Sequence, residues 1–449
     1  MNTQLEGKTV SGISQNLKLT NTHYFVIICT ALGFLVDSLD LYIVAYAMPF
    51  MVTEWNIDAV TNGVLASAGI WGALIGSLSW GPISDKIGRK WSLVLTIAGF
   101  SVLTGAIYFT TNTTQFMAIR FASGFFLGGA IPIAGVFTSE IAPFAIRGKL
   151  TSVLGCFFPA GLLCASLISL FIAPIFGWRA MFIVGALPVI LAVVCIKLPE
   201  SPLWLAAKGR QEEAIAVLRR LGASEEDLNQ VILEKAKDEQ EKKTKKVSAA
   251  VLFGPKYRKR FAFTTSFYFF TNLAYFGFAM WLPSLLNTVY GIPKTETFKL
   301  TLAVACVAIL GRAYLAWAIE KFGRKSMVYV GYGVAGAACI MLMFVQNLTL
   351  LIAILIIMPF FYEQGAGLTV SWVPEFYPPE IRATANAWSN SAGRISSACA
   401  PIIFGFIIST GAVFGIYLVM AGCFWLLCLL SKTIGIETKG KTIEEIEAA

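Results

Sequence analysis

The sequence predicts an all-α membrane protein: twelve transmembrane helices in two pseudo-symmetric six-helix halves, both termini cytoplasmic. Three observations carry this reading. The 449 residues are 57% hydrophobic and only 14% charged, against about 25% charged in a soluble domain, and the mean hydropathy is +0.71. Twelve apolar runs recur, most of them about as long as the ~20 residues needed to cross a bilayer. Two separate motifs repeat at one offset of 235 residues.

The runs are read at 23–49, 60–81, 91–110, 114–139, 149–173, 178–197, 260–286, 299–319, 326–345, 349–373, 385–409 and 412–431. They should be helices, because a helix satisfies its own backbone in lipid. Orientation follows from Lys and Arg. Of the 35 basic residues, 29 fall in the two tails and in the links after spans 2, 4, 6, 8 and 10. Only Arg179, Lys294 and Lys299 lie on the other side. The organisation is therefore a tail (1–22), a first half (23–197), a linker (198–259), a second half (260–431) and a tail (432–449).

In the linker, GRQEEAIAVLRRLG aligns Ala214, Ile215, Val217, Leu218 and Leu221 on one stripe, the mark of an amphipathic helix. KAKDEQEKKTKK (235–246) is a solvated charge run. The formal net charge of +9 reflects topology and attraction to anionic lipid, so nucleic acid is not an expected partner. All nine cysteines fall in apolar runs, with no disulfide framework and no metal spacing. The one histidine, His23, stands at the mouth of the first run. No nucleophile has a base beside it, so an enzyme is not expected, and neither is a cofactor. The polar residues 1–22 do not read as a cleavable signal.

The repeat pairs GPISDKIGRK (81–90) with AWAIEKFGRK (316–325), and EIAPFAIRG (140–148) with EFYPPEIRA (375–383). Asp85 matches Glu320, Arg89 matches Arg324, Glu140 matches Glu375 and Arg147 matches Arg382. Each turn of the first pair carries an acid, a helix-ending glycine and two bases, a composition suited to clasping neighbouring helices. Internal repeats of this kind build many transporters.

These motifs, with RFASGFFLGG (120–129) and PESPLWLAAKGRQEEA (199–214), resemble the major facilitator superfamily over essentially the whole chain. Leu203 stands where the sugar-porter and organic-ion branches often have arginine. LVDSLDLYIVAYAMP (35–49), AYFGFAMWLPSLL (274–286) and ANAWSNSAGR (385–394) resemble the aromatic-acid, nicotinate and organic-ion groups. The glutamine-rich seventh helix of sugar porters is missing. The resemblance implies that Asp85, Arg89, Glu140, Arg147, Glu320, Arg324, Glu375 and Arg382 gate the cytoplasmic side. It also implies that helices 1, 4, 7 and 10 line a central cavity.

Six charges lie inside spans: Asp37, Asp40, Arg120, Arg312, Glu363 and Arg394. Each is costly in lipid and calls for a partner, water or a function. Arg394 lies twelve residues past Arg382, roughly 18 Å into the membrane at 1.5 Å per residue. An Asp–Arg pair between spans 1 and 4 is plausible, as is Glu363 with Arg312 or with Arg394. Asp37, Asp40 and Arg120 are the candidate proton-coupling residues. Arg394, Glu363, Asn390, Asn386, Trp388, Tyr42, Tyr275 and Asn272 are the candidate substrate contacts, because a guanidinium donates two parallel hydrogen bonds to a carboxylate.

The expected function is proton-coupled symport of a small organic anion, an aromatic or other monocarboxylate, by alternating access. The expected setting is a monomer in a bacterial inner membrane, with protons and lipid as its other partners. An exporter of drugs or metabolites, a sugar or phosphate symporter and a non-transporting sensor are the other readings.

Overall fold

The computed structural model describes residues 13, 17, 19–141, 144–225, 228, 249–441 and 445; at 144–156, 249, 379, 380 and 383 it describes backbone only. The charge run 235–246 lies outside the described residues. Among the described residues, twelve helices are long and apolar enough to cross a membrane. Spans 1 to 5 are Asn21–Trp55, Ala59–Ile87, Arg89–Ala106, Thr113–Ile141 and Phe144–Phe176. Span 6 runs as Trp178–Ala186 and Val189–Cys195, two pieces separated at Pro188, which has no N–H to donate. Spans 7 to 12 are Arg258–Ser284, Lys294–Phe322, Arg324–Phe344, Leu348–Ser371, Pro379–Ser409 and Phe414–Thr433.

The halves are built alike. In the first, span 2 lies along span 4 and span 1 along span 5. In the second, span 8 lies along span 10 and span 7 along span 11. The two halves meet through spans 2 and 11, 5 and 8, and 1 and 7. Spans 2 and 4 approach through glycine. A Cβ at Gly72 or Gly76 would come within 2.0 Å of the Phe121 or Phe125 carbonyl oxygen, so only a bare backbone allows this contact.

The tight turns between spans 2 and 3 and between spans 8 and 9 each hinge on a glycine, Gly88 (φ 99°) and Gly323 (φ 87°). This left-handed region is strained for any side chain. After span 6 come two short helices, Pro202–Ala207 and Gln211–Arg220. The second buries Ala214, Val217 and Leu218 and leaves Arg219 and Arg220 outside, the pattern of an amphipathic helix.

Candidate functional site

A cavity of about 160 Å³ lies between the halves. From the first half it is lined by Asp37 and Leu41 of span 1, Gly69 of span 2, Arg120 of span 4 and Phe158 of span 5. From the second come Asn272 and Phe276 of span 7, and Asn390, Arg394 and Ser397 of span 11. Residues further along the same helices seal one end. Beyond Asp37, the Tyr42 hydroxyl meets the Tyr275 hydroxyl at 3.0 Å. Beyond Phe276, the Trp281 indole N–H donates to the Pro401 carbonyl at 2.9 Å. Gly63 of span 2 packs so closely on span 11 that a Cβ would stand 2.4 Å from that carbonyl. The halves therefore touch on the face away from the termini, and the cavity lies on the terminal side of that seal, where Asn390 is exposed.

The six intramembrane charges separate into two committed pairs and one uncommitted pair. Arg120 holds both Asp40 oxygens, at 2.8 and 3.0 Å, and the Thr104 hydroxyl donates to the same carboxylate at 2.7 Å. Both charged side chains are at most 3% exposed, so this is a buried bridge between spans 1 and 4. Glu363 of span 10 pairs with Arg312 of span 8 at 2.8 Å. Neither Glu363 oxygen sits in a well-aligned hydrogen bond. At 2.8 Å the two opposite charges still compensate one another. Asp37 and Arg394 share the cavity, and each acts electrostatically on the other. Among the described residues neither makes a hydrogen bond or a close ion pair.

The structure distributes the other candidate residues. Glu363 takes Arg312, one of its two expected partners, and is not part of the cavity lining. Trp388 is half exposed and packs edge-on against Phe253, on the outer side of span 11 from Arg394. Asn386 accepts from the Tyr268 hydroxyl at 3.0 Å and ties span 11 to span 7. Tyr42 and Tyr275 belong to the seal. Asn272 and Asn390 do line the cavity, and Asn272 also donates to the Tyr268 carbonyl at 2.8 Å. The reading missed Phe158, Phe276 and Ser397. Ser397 lies one turn past Arg394 and Phe276 one turn past Asn272, so helical spacing was the available signal.

The turn motifs form clasps within each half. Arg89 reaches Asp85 at 2.8 Å and Glu140 at 3.1 Å. Arg324 reaches Glu320 and Glu375, each at 3.0 Å. Asp85 and Glu320 are otherwise solvated. Arg382 donates to the Tyr377 carbonyl at 3.0 Å and steadies its own helix start, and the Arg147 side chain lies outside the described residues.

Each clasp has a further acid that the reading missed. Glu200 Oε1 accepts from the backbone N–H groups of Arg89, Lys90 and Ser201, at 2.8, 3.1 and 2.8 Å. Glu437 accepts from those of Arg324 and Lys325, at 3.0 and 2.9 Å. Thr438 donates to Glu375. Glu437 follows Glu200 by 237 residues rather than 235, which hid the match.

A two-half bundle with a charged cavity at its seam is the form of a transporter, and the comparisons agree. The chain is 29% identical over 439 residues to the niacin transporter of Acinetobacter baylyi, covering 96% of this chain and 98% of that protein. It is 28% identical to the benzoate transport protein of the same organism, covering 89% and 86%. It is also 28% identical to a 4-hydroxybenzoate transporter of Pseudomonas aeruginosa, covering 83% of each. In fold it superposes on the inward-open xylose transporter of E. coli with a TM-score of 0.78 at 20% identity, over 95% of this chain and 99% of that one. Residues 21–449 match the sugar (and other) transporter family. The chain thus belongs to that family within the major facilitator superfamily, as a multi-pass membrane transporter and not an enzyme.

Proposed function

We propose that the chain is a proton-coupled symporter of an aromatic or other small monocarboxylate, with both termini cytoplasmic in a bacterial inner membrane. One observation carries the reading: Arg394 stands in a cavity between the halves without a close anionic partner among the described residues. A guanidinium stays charged in a protein, so an unpartnered one suits an incoming carboxylate. A cavity of about 150 Å³ holds one benzene, and 160 Å³ is of that size. Phe158 and Phe276 offer apolar faces to a ring, and Asn272, Asn390 and Ser397 can reach its polar substituents. A neutral sugar has no need of the guanidinium.

Charge balance supports the coupling. Asp40 and Arg120 cancel, and so do Asp37 and Arg394, so the empty cavity is neutral. A monoanion alone would leave it negative, and a proton alone on Asp37 would leave it positive. A proton together with a monoanion restores neutrality. Carrying an unbalanced charge past the seal is costly in a low-dielectric interior, so the neutral forms are the ones that cross. Asp37 is therefore the proton carrier in this reading, and Asp40 is the structural partner of Arg120.

The test is counterflow of labelled nicotinate, benzoate and 4-hydroxybenzoate in proteoliposomes. Removing one partner of a charge-assisted contact costs about 2–5 kcal/mol, so Arg394→Ala should weaken the apparent affinity at least about 30-fold. Arg394→Lys keeps the charge, loses the fork and should fall between. Wild-type affinity in a well-folded Arg394→Ala variant defeats the reading.

A further inference from the structure

A second pocket, of about 320 Å³, lies outside the transport path at the terminal face of the first half. Its walls include Ile87, Lys90 and Trp91 at the turn into span 3, Glu200 after span 6, Arg210 just before the linker helix, and Glu213 and Arg220 within it. From this pocket we infer a binding site for the phosphate of an anionic membrane lipid. The charges inside it are unevenly committed. Glu200 is capped by three backbone N–H groups. Glu213 is forked by Arg210 at 2.6 and 2.7 Å. Lys90 rests 5.4 Å above the Trp91 ring. Among the described residues, no carboxylate forms an ion pair with Lys90 or Arg220. The two acids are engaged and two cations are left facing the space.

The internal repeat sharpens the contrast. Lys325 stands in the second half where Lys90 stands in the first. Its ammonium donates to the Gly435 carbonyl at 3.2 Å. Lys90 has no such anchor among the described residues, so the fold keeps its ammonium available.

The surroundings choose a lipid over a soluble phosphate. Trp91, Leu95 and Val102 form one exposed apolar stripe down span 3. Ile190, Val193 and Ile196 form another down span 6, and the two spans pack together. The pocket sits where both stripes reach the terminal face. Acyl chains lying along them would bring a headgroup to Lys90 and Arg220, with Trp91 at the boundary where amphipathic rings settle. Basic pockets on the cytoplasmic side hold lipid headgroups in this way.

The experiment uses full-length protein in detergent, titrated with phosphatidylglycerol and read by native mass spectrometry. A basic residue near an anionic surface contributes about fivefold in affinity, so Lys90→Gln with Arg220→Gln should weaken binding about 25-fold. Lys432→Gln, an exposed cation at the end of span 12 and outside the pocket, should leave it unchanged. Phosphatidylcholine should not compete, and neither should millimolar inorganic phosphate. Unchanged melting in phosphatidylcholine nanodiscs verifies that the double variant is folded. An equal loss in Lys432→Gln overturns the site as mere surface charge. Displacement by inorganic phosphate overturns the lipid assignment, and wild-type binding by the folded double variant overturns the site altogether.

Discussion

Asp37 and Asp40 stand three residues apart on one helix, yet their surroundings predict opposite responses to the same change. Asp40→Asn removes the anion that two short contacts tie to Arg120. Arg120 then remains as a buried cation with only an amide to face. Breaking a buried pair in this way costs about 3–5 kcal/mol. The Thr104 hydroxyl can still donate to the Asn oxygen, which places the expected loss near the lower end, about 3 kcal/mol. Asp37→Asn breaks no hydrogen bond and no close ion pair among the described residues, so its cost should be well below that of Asp40→Asn. The assay is thermal unfolding in detergent, beside uptake driven by a pH gradient and counterflow with no gradient. Asp40→Asn should melt several degrees lower and lose uptake and counterflow together. Asp37→Asn should melt like wild type, keep counterflow and lose accumulation against the gradient. Equal melting of the two variants would refute the separation into a structural and a titrating acid. Normal accumulation by Asp37→Asn would refute the coupling role even if the melting result held.

Three further outcomes follow from the geometry. Arg312→Ala should lower expression and melting temperature by stranding Glu363, and adding Glu363→Ala should recover part of the loss; adding Glu363→Ala to Arg394→Ala should recover nothing, and recovery there, read by the same melting assay, would mean that Glu363 serves Arg394. Gly63→Leu should prevent spans 2 and 11 from closing, so a cysteine placed beside Tyr42 should react faster with an impermeant thiol reagent from the face away from the termini; unchanged labelling would show that the seal lies elsewhere. Glu200→Gln should melt close to wild type, while Glu437→Gln should lose about 1.5–3 kcal/mol.

The two clasp acids differ for a reason seen in their atoms. Burial raises the Glu200 carboxyl above its usual range against the three N–H donors and the Arg89 charge. All three donors meet Oε1, which a Gln carbonyl reproduces. Burial also pushes Glu437 upward, but the N–H groups of Lys325, Arg324 and Lys439 and the Arg324 charge outweigh it and hold the carboxyl low. Its donors meet both oxygens, so a Gln amide would turn its own N–H toward that of Lys325. The folded pKa of Glu437 is depressed, so its contribution is present above the unfolded value of about 4.3 and disappears as pH falls through the lower folded value. The melting difference between wild type and Glu437→Gln should therefore shrink in strong acid. Glu200 has the opposite sign: its ionisation weakens the fold as pH rises through the raised value, so Glu200→Gln should compare best with wild type at neutral pH.

The fold was legible because lipid leaves few options. Spans, halves and clasps follow from hydropathy and a fixed repeat, and Arg89, Glu140, Arg324 and Glu375 meet as their spacing suggested. The site was only partly legible, because pairing depends on helix rotation, which residue type does not encode. Sequence left two arginines, Arg312 and Arg394, open to one acid, Glu363. Which of them it meets is decided by the faces that spans 8, 10 and 11 turn to each other. Trp388 shows the same gap: at six residues from Arg394, a helix turns about 600°, well over half a turn beyond one full revolution, so its ring lies off the guanidinium's face.

That rotation also explains why Arg394 is tolerated. Had it turned toward lipid, its insertion cost of about 2.5–3.5 kcal/mol would have bought nothing. On the cavity face the same side chain shares the lining with Asp37, Asn272, Ser397 and the exposed Asn390. The other two arginines each have an acid at 2.8 Å, Asp40 for Arg120 and Glu363 for Arg312. Of the three intramembrane cations, Arg394 alone faces the seam between the halves without a fixed anion among the described residues. A carboxylate that binds it must therefore touch the second half directly and meet Asp37 of the first across the cavity, and that contact across the seam is what can link a bound anion and a proton to the rocking of the halves.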